Sequence, residues 1–183
     1  MQAKKTWILI SPIVMVIVCH LVARISMQFL GNWAFIPVML SIWTVGGFFI
    51  WLGRKETLIN SNWLKGVNGK WGWKILALFV GLLPLPIFLL HWELLKPIHI
   101  LIPYLLIAFI NPFFEEFFFR GLIIDYAKEY PKWIVILYTT FFFALNHPLS
   151  FGMFSDLNSG WTVFTFTFIM GLAWAVSYYK TGS

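Results

Sequence analysis

Long apolar runs alternate with short polar segments along this chain of 183 residues. A helix needs about 20 apolar residues to cross a bilayer, and six runs qualify. With approximate ends, they are Trp7–Met27, Trp33–Leu52, Trp71–His91, a run that begins near His99, Lys132–His147 and Trp161–Tyr179. The pattern predicts an all-α, polytopic integral membrane protein of about six transmembrane helices, folded as a single domain over residues 1–183.

Tryptophan and proline residues refine the ends and the straightness of these predicted helices. Tryptophan is enriched where a helix meets the membrane surface. Five of the runs have a tryptophan at or next to their first residue, namely Trp7, Trp33, Trp71, Trp133 and Trp161. Because proline cannot donate a backbone hydrogen bond, Pro84 and Pro86 are expected to kink the third helix.

The distribution of basic residues predicts the orientation in the membrane. Cytoplasmic segments next to transmembrane helices carry an excess of Lys and Arg. With the N-terminus inside, most basic residues fall on the cytoplasmic side, and only Lys96, with Arg24 as a borderline case, falls outside. We therefore expect both termini in the cytoplasm. The membrane is expected to be the bacterial plasma membrane.

Composition supports the membrane assignment and excludes other classes. Hydrophobic residues make up 60% of the chain and charged residues only 11%, too few charges to cover a water-soluble fold. The net charge of +6 does not indicate nucleic-acid binding, because the Lys and Arg residues lie between apolar runs. A single cysteine, Cys19, excludes an intrachain disulfide. Since no small-residue cleavage site follows the first run, that run is expected to remain as a helix.

Two adjacent acidic residues, Glu115 and Glu116, lie in one of the most apolar stretches, among five phenylalanines between positions 113 and 119. A charged side chain at the centre of a bilayer costs roughly 2.5–3.5 kcal/mol on insertion scales, so it indicates a functional site by default. Glu115 could act as a general base or a metal ligand. Glu116 precedes Arg120 by four residues, the spacing of an ion pair on a helix, which predicts an orienting role for both.

A helical hairpin would bring an imidazole to the depth of Glu115. Because the residue before a proline avoids helical geometry, Asn111 and Pro112 suggest a helix that restarts at Pro112 and ends near Glu129. Pro131 then breaks the chain. Glu115 lies 16 residues before Pro131 and His147 lies 16 residues after it. At 1.5 Å per residue both are about 24 Å from the turn, so His147 is predicted to face Glu115.

The remaining polar and small residues are assigned lesser roles. Asn146 could assist His147 by hydrogen bonding. His20, His91 and His99 have no evident partner and are expected to be non-catalytic. Gly46, Gly47 and Gly171 are predicted to allow close helix contact. The sequence contains no glycine-rich phosphate loop, HExxH or serine elbow, which argues against nucleotide-binding and soluble-hydrolase chemistry.

Three segments resemble motifs of a known family. Residues 115–121, EEFFFRG, resemble the EExxxR signature of the CAAX-protease and bacteriocin-processing (Abi, CPBP) family of intramembrane endopeptidases. Residues 143–147, FALNH, are similar to its FxxxH motif, and residues 166–183, FTFIMGLAWAVSYYKTGS, are similar to its third region. The resemblance places a protease-like core in residues 99–183, whereas residues 1–98 match only as generic spans.

The resemblance implies hydrolysis of peptide bonds within the membrane, with prenylated or bacteriocin-type peptides as substrates. It makes Glu115 the residue that activates water and His147 a second partner of that water or of a metal. Glu116 and Arg120 become supporting residues of the catalytic site. A divalent metal such as zinc would have Glu115 and His147 as ligands, short of the three protein ligands of a catalytic zinc site.

The family's pattern continues beyond the sequence given, and other functions are compatible with it. Family members extend past the Thr-Gly-Ser turn into a helix with a second histidine, a motif expected to be absent here because the sequence ends at Ser183. One alternative is a non-catalytic immunity or interaction protein of the membrane. Another is a proton-coupled transporter, although the sequence shows no paired halves. The expected partners are the lipid bilayer and a peptide or protein substrate. No nucleic acid is expected to bind.

Overall fold

The computed structural model describes residues 2–54, 71–83, 85–90, 92–153 and 159–181, and these residues form helices and turns without a β-strand. The α-helices of this described part are, in order, α1 (Gln2–Leu30), α2 (Phe35–Gly53), α3 (Trp71–Leu82), α4 (Leu85–Leu90), α5 (Ile98–Glu115), α6 (Lys132–Ser150) and α7 (Gly160–Thr181). Helix α5 continues into a π-helix, Glu116–Ile123, and a last α-helical turn, Ile124–Tyr126. The predicted all-α class is confirmed.

Among the residues that the structure describes, four helical stretches are long and apolar enough to cross a membrane, namely Gln2–Gly53, Leu101–Tyr126, Lys132–Met153 and Gly160–Thr181. The first contains both α1 and α2, which are joined by a 3₁₀ turn at Gly31–Ala34. Ser41 donates a hydrogen bond to the Cys19 sulfur at 3.4 Å, so α2 runs back along α1 and this stretch can cross twice. The prediction of a polytopic membrane protein is confirmed, whereas the count of six spans stays a prediction.

The third predicted span is interrupted. Helix α3 has 12 residues, about 18 Å of helix, which is too short to cross a bilayer alone. It ends at Leu82, and α4 begins at Leu85, whereas the kink predicted at Pro84 falls on a residue outside the described part of the chain. Pro84 and His91 lie outside the described residues, as do the polar segment 55–70, the loop 154–158 and residues 182–183 of the Thr-Gly-Ser turn.

The predicted restart of a helix at Pro112 is wrong. Helix α5 runs through Asn111 and Pro112 without interruption and reaches Glu115. A proline inside a helix removes one backbone hydrogen bond, and membrane helices tolerate that loss because the helix can adjust its winding locally. A π-helix begins directly downstream, at Glu116.

Helix α1 lies at the centre of the fold. Its buried residues include Ile8, Met15, Cys19 and Ala23, whose spacing of seven and four places them on one face of the helix. These side chains share a core with Phe118 and Phe119 of the π-helix, which are fully buried. The five tryptophans that open the predicted runs are exposed instead, as a membrane-interface belt requires.

Candidate active site

The segments on either side of Pro131 pack against each other as a hairpin. The ring centroids of Phe119 and Phe143 lie 5.7 Å apart in an edge-to-face arrangement. Phe119 is twelve residues before Pro131, and Phe143 is twelve residues after it. Glu115 and His147 hold the corresponding positions about one turn farther from the bend. The register predicted from the sequence is therefore present at the level of these two phenylalanines.

Glu115 ends α5 and is buried, with 8% of its surface exposed. It hydrogen-bonds to the side chain of Asn111, one helical turn earlier. Its Oε1 atom has no hydrogen-bond partner among the described residues. An unpaired carboxylate oxygen in a buried setting is costly and is rarely left so in a folded protein. The carboxylate is thus held on one side and free to engage water or a substrate on the other.

Arg120 is the most deeply buried charged residue of the site, with 1% of its surface exposed. Three aromatic rings surround its guanidinium group. The guanidinium carbon lies 4.3 Å from the ring centroid of Phe143, 5.4 Å from that of Trp174 and 5.8 Å from that of Phe119. Such cation–π contacts stabilise a desolvated cation by about 2 kcal/mol or more. Its three nitrogens have no hydrogen-bond partner among the described residues.

Helix α7 reaches Arg120 because it carries a glycine at the crossing. A Cβ atom on Gly171 would lie 3.1 Å from Phe143 Cδ1 and 3.1 Å from Thr140 Cγ2, and 3.4 Å from Arg120 Nη2. The close contact predicted for Gly171 is therefore present. Gly46 and Gly47 show it as well, since their Cβ atoms would lie 3.3 Å from Met15 and Phe114.

Glu116 forms the ion pair that its spacing predicted. Its Oε1 atom lies 3.4 Å from Arg120 Nη1, and its side chain is 40% exposed. The two adjacent glutamates therefore differ, because Glu115 is buried and hydrogen-bonded whereas Glu116 is half-buried and paired with the cation. This difference fits a reactive role for Glu115 and a supporting role for Glu116.

His147 is oriented by the helix on which it lies. Its Nδ1 atom is 2.9 Å from the carbonyl oxygen of Phe143. Because a carbonyl only accepts, Nδ1 carries the proton, and Nε2 of the neutral ring is left as an acceptor. The positive charge of Arg120 is close enough to act electrostatically on both Glu115 and His147.

The carboxylate pair, the buried arginine and the imidazole all lie in the C-terminal part of the chain, and this part matches a known family. Residues 97–183 match the family model described as type II CAAX prenyl endopeptidase Rce1-like. This segment is similar to the Rce1-like family. The resemblance drawn from the three motifs is confirmed. No curated protein and no solved structure matches the chain.

The Rce1-like segment supplies two of the ligands that a zinc site would need. Glu115 and His147 are the candidates, whereas a catalytic zinc site has three protein ligands. Within the residues that the structure describes, no group of three His, Cys, Asp or Glu side chains could hold a metal ion. These residues do not fit a zinc site of the usual kind.

Residues outside the Rce1-like segment contribute contacts that the sequence reasoning missed. Trp43 on α2 donates from Nε1 to Asn111 Oδ1 at 3.3 Å. His20 was expected to lack a partner, but its Nδ1 lies 2.7 Å from the carbonyl oxygen of Leu149. That expectation is wrong, because α1 packs against the end of α6. Neither contact had a signal in the sequence, since each joins residues far apart in the chain.

The remaining residues considered in the sequence analysis are Asn146, His91 and His99. Asn146 is buried and its Oδ1 accepts a hydrogen bond from Ser150 at 3.0 Å. Its predicted assistance to His147 stays a prediction. His99 lies near the start of α5, and His91 lies outside the described part of the chain.

Proposed function

We propose that this protein is an intramembrane endopeptidase that hydrolyses a peptide bond of a membrane-associated, lipid-modified peptide with water activated by Glu115. The observation that carries the proposal is the setting of Glu115, which is buried, hydrogen-bonded on one side and unpaired at Oε1. The family match supports the reaction class, because Rce1-like proteins are described as CAAX prenyl endopeptidases.

The reaction needs a base, a partner for the water and a stabiliser of negative charge. Glu115 accepts a proton from water while the water oxygen bonds to the carbonyl carbon of the substrate. His147 accepts the second hydrogen of that water through Nε2. The positive charge of Arg120 favours the negative charge that develops on the carbonyl oxygen. Glu116 keeps Arg120 in place through its ion pair.

Collapse of the tetrahedral intermediate completes the hydrolysis. The bond between the carbonyl carbon and the amide nitrogen breaks, and Glu115 returns its proton to the leaving nitrogen. The products are a carboxylic acid and an amine, with one water consumed. No step passes through a metal ion, because the described residues do not supply the ligands.

The proposed substrate and location follow from the membrane setting. The acidic residues lie within a candidate membrane span, Leu101–Tyr126, so a substrate that is itself anchored in the bilayer reaches them by lateral diffusion. A prenylated peptide meets this condition. We propose a location in the bacterial plasma membrane, and the basic residues favour both termini in the cytoplasm.

The test is cleavage of a defined peptide by the protein in lipid nanodiscs. A farnesylated C-terminal peptide and its unmodified counterpart are offered to the wild type and to Glu115→Gln, and the products are analysed by mass spectrometry in water labelled with ¹⁸O. We expect one ¹⁸O atom in the new carboxylate and a rate for Glu115→Gln that is lower by about 10²–10⁴-fold.

A matched control separates the site from a general effect of removing a carboxylate. Glu93 is exposed and pairs with Lys96 on the surface, so Glu93→Gln should cleave at the wild-type rate. Cleavage by Glu115→Gln at the wild-type rate would overturn the proposal. Absence of cleavage by the wild type with both peptides would also overturn it, and binding of the intact peptide would then favour an interaction protein.

A further inference from the structure

A short chain of hydrogen bonds leads from α2 to the carboxylate of Glu115. Asn111 lies between the two ends and is buried, with 9% of its surface exposed. Its Oδ1 atom accepts from Trp43 Nε1 at 3.3 Å, and its side chain also hydrogen-bonds to Glu115. The amide of Asn111 therefore bridges an indole on one helix and the candidate base on another.

The chemistry of the two outer groups fixes the orientation of this amide. An indole N–H only donates and an ionised carboxylate only accepts. Asn111 must therefore turn its carbonyl oxygen toward Trp43 and its NH₂ group toward Glu115. If the amide were flipped, its NH₂ group would face the indole N–H and its oxygen would face the carboxylate. Both contacts would be unfavourable. Trp43 thus acts on Glu115 without touching it.

Trp43 is itself held in place by packing. Its ring stacks on Phe114 of α5, with centroids 6.0 Å apart and ring planes 22° apart. Close approach of the two helices at this point depends on Gly47, because a Cβ there would lie 3.3 Å from the Phe114 ring. The indole donor is therefore presented from a rigid contact between α2 and α5.

We infer that Trp43 and Asn111 are positioning residues that orient the Glu115 carboxylate for its work as the base, an inference that rests on the proposed function. Trp43 lies outside residues 97–183, the segment that matches the Rce1-like family. Helix α2 would then contribute to the catalytic site in addition to its role as a membrane span. A misplacement of about 1 Å can cost about 10²-fold in rate.

The test removes the indole N–H and keeps the ring. Trp43→Phe preserves an aromatic ring against Phe114 but cannot donate to Asn111. In the nanodisc cleavage assay we expect kcat to fall about tenfold with KM unchanged within about twofold, since the lost interaction orients the base and does not bind substrate. Trp51→Phe is the matched control, because Trp51 lies on the same helix with 55% of its surface exposed, and it should keep the wild-type kcat.

A double-mutant cycle distinguishes positioning from a general loosening of the fold. Asn111→Leu removes the bridge, and we expect it to lower kcat at least as much as Trp43→Phe does. If Trp43 acts through Asn111, adding Trp43→Phe to Asn111→Leu should cause no further loss of kcat. A further tenfold loss in the double variant would overturn the inference, since it would show that Trp43 acts by another route.

A spectroscopic measurement tests the hydrogen-bond chain from Trp43 through Asn111 to Glu115 without relying on turnover. Infrared difference spectra of the wild type and Glu115→Gln identify the band of the Glu115 carboxyl group. We expect that band to shift in Trp43→Phe and Asn111→Leu and to stay in place in Trp51→Phe. A band that is unmoved in Trp43→Phe would overturn the inference. This result would leave the protease proposal intact if Glu115→Gln is inactive. A cleavage rate unaffected by Glu115→Gln would instead overturn the proposed function, and with it the role of Trp43 and Asn111 in orienting a base.

Discussion

The guanidinium carbon of Arg120 lies 4.3 Å from the ring centroid of Phe143, across the hairpin that bends at Pro131. A charged group is thereby kept within a buried site largely by aromatic faces, with a single ion pair to Glu116 at 3.4 Å. Burial of a cation costs several kcal/mol after relaxation, so the surrounding rings are needed to keep it there. Three of the predictions below concern this arrangement.

Phe143→Leu should destabilise the protein by about 2 kcal/mol, because it removes the closest of the three cation–π contacts of Arg120 and leaves the charge less well compensated. The free energy of unfolding in a detergent–denaturant titration measures the loss. Phe141→Leu serves as the control, since Phe141 lies on the same helix with 43% of its surface exposed. Equal losses in the two variants would contradict a specific role for the Phe143 ring.

Gly171→Ala should be destabilising by about 1–3 kcal/mol, the usual cost of adding a methyl group to a well-packed contact. The added Cβ would lie 3.1 Å from side-chain atoms of Phe143 and Thr140, so α7 must move away from Arg120. Thermal unfolding in detergent measures the effect. Gly81→Ala is the matched control in α3, because nothing lies within 4 Å of its Cβ position, and this variant should be neutral or slightly stabilising.

Removal of both partners of the ion pair should be less harmful than removal of one. Glu116→Gln leaves the buried charge of Arg120 without its counter-ion, and such a change typically costs about 3–5 kcal/mol. Because Glu116 is half-buried, we expect a loss at or below the lower end of that range. Glu116→Gln combined with Arg120→Met removes the charge as well and should recover part of the stability. Unfolding titrations of the single and double variants give the coupling energy, and strictly additive losses would contradict the pairing.

Cleavage should survive treatment with a metal chelator. The described part of the chain supplies Glu115 and His147 but no third ligand from a nearby His, Cys, Asp or Glu, so the proposed reaction relies on the carboxylate and the imidazole alone. Incubation with a chelator followed by the nanodisc assay measures the remaining rate. A loss of activity that added zinc restores would contradict this prediction and would require a ligand beyond these two residues.

Periodicity and spacing predicted the parts of the site that lie close together in the chain. The apolar runs indicated the helices, and the ion pair of Glu116 with Arg120 followed from a spacing of four. The hairpin register followed from counting residues on either side of Pro131, and Phe119 and Phe143 meet accordingly. These relationships depend on helix geometry alone, which a sequence displays directly.

Long-range contacts and local changes of winding were not predictable in the same way. Trp43 and Asn111 lie 68 residues apart, and no periodic pattern connects them. The restart at Pro112 was predicted from the usual behaviour of a residue before proline, but α5 is continuous through that position. The π-helix has no compositional signature of its own, so the widened winding after Glu115 could only be seen in the structure.

The π-helix fixes the rotational phase between Glu115 and the residues that anchor the hairpin. A wider turn accommodates one more residue than a regular helix does, and in a regular helix each residue advances the phase by about 100°. Deletion of one residue between Glu116 and Ile123 would let ordinary α-helical winding resume with little change of phase, whereas insertion of a further residue into regular winding would rotate everything upstream by about 100°. The direction of the Glu115 side chain therefore depends on the number of residues in this stretch, which should accept substitutions more readily than insertions.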